Sequence, residues 1–118
     1  MNVTQLTTQQ QDLSCMTPQR LTEQNRYFKG TGGVSQENRS GGFLPAFSDT
    51  RTGTVYLSRF ADGRLAPMHL LDGLPEELIV ACNSSGRVVA AKDCIQAGFV
   101  KQGQFYTREQ AALAVTEN

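Results

Sequence analysis

The residues that could do chemistry in this chain stand alone. His69 is the only histidine. A catalytic histidine needs an acceptor that orients its ring and a nucleophile within reach. Asp72 follows three residues later, and Ser58 and Cys82 are the available nucleophiles. One histidine set in the apolar run PMHLL is the pattern of a structural side chain, so no catalytic residue is assigned. The three cysteines, Cys15, Cys82 and Cys94, form no C-x-x-C pair, and an odd number cannot all bridge within one chain. Neither a zinc knuckle nor a thioredoxin-type pair is therefore indicated, so no metal ligands are assigned and reduced thiols are expected. Glu76 and Glu77 are adjacent at the start of a helical turn. That suits surface charge near a helix start, not two carboxylates facing across a glycosidase cleft.

The glycine-rich segment at 30–42, GTGGVSQENRSGG, invites a phosphate reading. A phosphate-binding loop follows a strand and carries Gly-Lys-Ser/Thr into a helix; here the glycines follow a helix and no such lysine comes after. No cofactor is assigned. The segment is read instead as the longest loop of the chain, with Lys29 and Arg39 flanking it as possible contacts for an anionic partner.

The elements around these residues are marked by local turn and cap signals. The 118 residues make one domain of ordinary apolar content. Residues 1–16 are polar and read as a flexible tail, leaving 17–118 as the folded domain. Thr17-Pro18 opens a helix over 18–28, because Thr caps and Pro suits the first helical position. Residues 43–48 read as a strand confined to a sheet edge by Pro45. Residues 54–60 follow as a second strand, and Asp62-Gly63 predicts a two-residue hairpin turn with both residues at positive φ. The return strand is expected over 64–70. The run LIVAC at 78–82 is apolar at every position, which predicts a strand covered on both faces. It pairs with 87–91 in the middle of the sheet. Asp93 and Gln96 suggest a short capped turn. Residues 99–106 form a hairpin about Gln102-Gly103, and Thr107 with Gln110 is a capping box for a helix over 108–115.

The fold class expected is α+β: a single small domain with a mostly antiparallel sheet of about five or six short strands, and the N- and C-terminal helices packed on one face.

Formal net charge is zero. That weighs against a dedicated phosphate binder, which carries excess Lys and Arg, and against an anionic membrane surface. No run approaches the ~18 apolar residues of a membrane span, and the N-terminal residues have no signal-peptide pattern. A cytoplasmic location is expected. Arg51, Arg59 and Arg64 share the region around one hairpin with Tyr56 and Phe60, and Asp49 and Asp62 balance their charge. Arginine beside aromatics is the composition of protein interface hot spots. Arg39, Arg51, Tyr56, Arg59 and Arg64 are therefore the candidate partner-binding residues. The function expected is a non-enzymatic protein-binding module. Its profile is that of accessory or inhibitor proteins of phage or mobile-element type, which dock on a larger complex such as a bacterial defence nuclease. A nucleic-acid-binding accessory protein is the alternative, and a small enzyme using His69 or Cys82 the second. The apolar strands at 78–91 also suggest homodimerisation.

Overall fold

The computed structural model of the protein describes residues 15–117. Residues 1–14, most of the expected tail, lie outside the described residues. Met16 was expected in that tail but is buried. It exchanges two main-chain hydrogen bonds with Ala91, at 3.0 and 2.7 Å.

Helix α1 (Pro18–Tyr27) begins as expected: Thr17 Oγ1 accepts the Arg20 amide at 3.1 Å, and Pro18 occupies the first turn. The glycine-rich segment is more ordered than its composition implies. It contains a short helix α2 (Ser35–Asn38) and a single 3-10 turn (Arg39–Gly41). Asn38 holds it from within: its Nδ2 donates to Gly32 O at 2.6 Å, and the side chain is almost fully buried.

The strands are β1 (Leu44–Asp49), β2 (Val55–Leu57), β3 (Ile79–Cys82), β4 (Val88–Ala91), β5 (Ile95–Lys101) and β6 (Gln104–Thr107), followed by α3 (Arg108–Glu117). They form a four-stranded antiparallel sheet in the order β2-β1-β5-β6 and a separate two-stranded sheet of β3 and β4. The protein is α+β, with six strands in antiparallel sheets plus helices.

Register divides the larger sheet into two unlike faces. Phe47 lies opposite Tyr56 and Ala97, and Phe99 opposite Tyr106. Paired residues share a face and neighbours alternate. This face holds the core. Phe47, Ile95 and Ala97 pack with Leu21 of α1, Leu71, Leu74 and Val88. Phe99 packs with Phe43 and with Ala111 of α3. The opposite face carries Leu44, Ala46, Val55, Leu57, Val100 and Phe105, and neither core cluster includes any of them.

Several expectations fail for non-local reasons. The strand containing Pro45 is interior, not an edge. Its carbonyl accepts the Ser58 amide at 2.9 Å, just past the end of β2. In an antiparallel strand N–H and C=O of one residue point the same way, so the missing amide faces the place where β2 has stopped and costs the β5 ladder nothing. The strand expected over 54–60 shortens to β2, and the return strand over 64–70 reduces to one bridge, Leu65 to Arg59. Asp62-Gly63 makes a three-residue loop: Phe60 N donates to Arg64 O at 2.9 Å, and Gly63 alone is left-handed, at φ 94°. The apolar run at 78–82 is not central or doubly covered. Strand β3 lies in the small sheet with Val80 54% exposed. Residues 95–98 extend β5 instead of forming a capped turn.

The C-terminal grammar holds. Gln102 and Gly103 are both left-handed, at φ 53° and 80°. Thr107 N donates to Gln110 Oε1 at 2.9 Å and Gln110 N to Thr107 Oγ1 at 3.1 Å, the reciprocal pair of a capping box.

Candidate functional site

His69 lies in the irregular segment that crosses the core face of the large sheet. Its ring meets Phe47 and Phe99 edge to face, with centroids 5.3 and 5.1 Å away. Ser58 fixes this segment by main-chain bonds on both sides of the histidine. Its Oγ donates to Met68 O at 2.7 Å and accepts from Leu70 N at 2.8 Å. Neither Ser58 nor Asp72 bonds the ring. Asp72 receives Arg87 Nε at 2.7 Å and the Val88 amide at 2.9 Å. Cys82 is exposed on β3, in the other sheet.

Both ring nitrogens are occupied. Nε2 is 2.7 Å from Gly98 O, and Nδ1 is 3.2 Å from a guanidinium nitrogen of Arg108. A carbonyl only accepts and a guanidinium only donates. The proton therefore sits on Nε2 and the lone pair on Nδ1: a neutral ring in one tautomer. Burial, with the Arg108 charge beside it, pushes the pKa of His69 down to about 3.

Arg108 is the residue that sequence reasoning missed. It is 2% exposed, and burial lowers its pKa to about 10. Besides His69 it donates to Gln24 Oε1 at 3.1 Å and Gly33 O at 2.9 Å, and it lies over the Phe99 ring, 5.9 Å from the centroid. Among the described residues no carboxylate lies within ion-pair distance of it. One signal was present. Arg108 opens α3, where a helix dipole favours an acid, so a cation there has a reason other than the dipole. That reason is tertiary: one guanidinium ties α1, the glycine-rich segment, the His69 segment and α3 together. Gly33 has no Cβ because one would run into the Phe28 ring and the Arg108 carbonyl.

Beside this network, a groove of about 200 Å³ runs between α1, α2 and the His69 segment, lined by Asn25, Lys29, Val34, Arg39, Met68 and His69 among others. A second groove, of about 240 Å³, continues past Met68 and His69 towards Leu21 and Leu71.

The candidate partner-binding residues do not form one patch. Arg39 borders the first groove, its guanidinium on Pro67 O at 3.1 Å. Tyr56 is half-buried on the core face, packed against the main cluster. Arg51, Arg59 and Arg64 flank strand β2, with Arg51 in the turn before it and the other two after it. Each has a local partner. Arg51 binds Asp49 at 3.4 Å and holds its carboxyl below the usual carboxylate range. Arg59 donates to Gly63 O at 2.7 Å, and Arg64 pairs with Asp62 at 2.7 Å while covering the Phe60 ring. Cys94 is buried, which pushes its thiol pKa up, away from the reactive thiolate.

No protein-family model, curated protein or solved structure matches the chain. Among the described residues no helix is long and apolar enough to cross a membrane, and no cluster of three metal-ligating side chains occurs.

Proposed function

We propose that this protein is a non-enzymatic protein-binding module that docks through the uncovered face of its four-stranded sheet. One observation carries the reading. Leu44 and Val55 are 42% and 40% exposed on that face, beside half-buried Leu57, Val100 and Phe105. These positions share one face of all four strands: Leu44, Val100 and Phe105 pair in one row, Leu57 pairs with buried Ala46, and Val55 with Ser48. Apolar patches of this kind on a small domain mark interaction sites.

The chemistry of the patch selects the partner. Its residues carry no charge, so it offers phosphates nothing to pair with, and a nucleic-acid partner is disfavoured. An apolar, uncharged protein surface fits. Arg51, Arg59 and Arg64 stand at the two ends of the edge strand β2, where a polar rim would surround such a contact. The acid–base alternative has little to work with, since His69 has both nitrogens engaged.

The test is capture of partners on immobilised protein, with and without nuclease, beside a Leu44→Lys/Val55→Lys variant. Both side chains are already part-exposed, so thermal unfolding should change little. A protein partner that survives nuclease and is lost at least tenfold with the variant, about 1.4 kcal/mol of hot-spot energy, is the expected result. Equal capture by the variant refutes the docking face. Capture that disappears with nuclease refutes the protein-binding reading.

A further inference from the structure

The geometry points to a second site, independent of the sheet face: the groove between α1, α2 and the His69 segment receives a small organic oxyanion, a carboxylate or phosphate group on an apolar body. Both charged residues that line this groove are basic, and Asp72 of the adjoining groove is paired with Arg87. Lys29 and Arg39 line it, and no carboxylate does. Glu37 follows the lining residues Ser35 and Gln36 on α2 but is not part of the wall.

A third cation lies directly behind the wall. Each hydrogen-bond acceptor of buried Arg108 is a lining residue or the chain neighbour of one. His69 itself lines the groove, Gln24 precedes Asn25, and Gly33 precedes Val34. Arg108 has only neutral hydrogen-bond acceptors, and the acidic charge that acts on it is that of its chain neighbour Glu109, with no carboxylate paired to it among the described residues, so its charge is balanced only in part. In a low-dielectric wall such a charge acts over a longer range than in water. The groove thus combines two exposed cations, one buried cation, and the Asn25, Ser35 and Gln36 side chains as polar contacts.

The remaining wall sets the rest of the ligand. Val34, Pro67 and Met68 supply an apolar side, which accommodates a hydrocarbon body next to the charged group. At about 200 Å³ the groove is smaller than the ~300–1,000 Å³ of sites for drug-sized molecules. The ligand is accordingly of the size of one ring with one acidic group.

Benzoate, phenyl phosphate and uncharged benzamide are the probes, titrated into the full-length protein while backbone amide resonances are followed. Benzoate or phenyl phosphate should bind saturably with a Kd of about 1 mM or tighter. The shifts should centre on Lys29, Val34, Met68 and His69, and benzamide should leave them unmoved. Which of the two anions binds better identifies the acidic group as carboxylate or phosphate. A Lys29→Gln/Arg39→Gln variant, altered only at exposed side chains, should weaken binding by about tenfold or more, the loss expected for one charge-assisted hydrogen bond. Added chloride should also weaken it. Equal binding of benzamide, shifts mapping elsewhere, no saturation by any probe, or an unaffected variant would each overturn the assignment.

Discussion

Protonating His69 should destabilise this protein over a pH range in which few other groups titrate. In the unfolded chain the ring has its ordinary pKa of 6.5, and in the folded protein it is held at about 3. Between these values the unfolded state binds one more proton than the folded state, so stability falls as pH falls. The loss begins near pH 6.5 and is complete below about pH 3. It is worth about 1.4 kcal/mol for each pH unit crossed, or about 5 kcal/mol in all. Between about pH 7.5 and pH 5 the wild-type protein should lose about 2 kcal/mol. Because His69 is the only histidine, no second imidazole obscures this window. The assay is urea unfolding across that range for the wild type and for His69→Gln. The glutamine amide can donate to Gly98 O and its carbonyl can accept from Arg108, but it does not titrate. Subtracting the two curves removes the contribution of the carboxylates. A difference that grows by about 2 kcal/mol towards pH 5 supports the neutral, doubly bonded ring. Parallel curves would show that the ring is not held neutral, and the account of the His69–Arg108 pair would be wrong.

Two further outcomes test the sheet. Gln102 sits at φ 53° in the β5–β6 turn, where left-handed backbone costs a residue with a Cβ about 1–2 kcal/mol. Gln102→Asn creates the Asn-Gly pair this turn prefers, and should raise stability in chemical denaturation by about 0.5–1 kcal/mol. At Gly98 a Cβ would run into the Phe105 ring and the Tyr106 carbonyl, so Gly98→Ala should cost about 3 kcal/mol. Adding Phe105→Leu should not restore it, because the main-chain clash remains; full recovery in thermal unfolding would show that the ring alone sets the limit.

What could be read from the chain was local. The Thr17-Pro18 start, the Gln102-Gly103 turn and the Thr107–Gln110 box each need only a few adjacent residues, and each forms as expected. What could not be read depends on distant segments. Pro45 belongs in an interior strand because β2 ends beside it. The apolar run at 78–82 reads like a central strand, yet its pairing with β4 makes a separate ribbon, and only Leu78 and Ile79 of the run join the core. His69 and Arg108 are 39 residues apart, and nothing near either one names the other. The candidate arginines were recognisable by type, but the apolar face beside them emerges only once four strands are in register.

The contacts that close this fold also set the order of its making. Arg108 reaches Gln24 across 84 residues, and Met16 pairs with Ala91. At about 5–20 residues per second on a ribosome, roughly 4–17 s separate the synthesis of Gln24 from that of Arg108. Throughout that interval α1 lacks its guanidinium tie, and the residues that pack with Leu21, from Phe47 to Ala97, are added only step by step within it. The guanidinium tie of α1 is thus among the last contacts of this domain to form, made only after the strands that it braces have been synthesised.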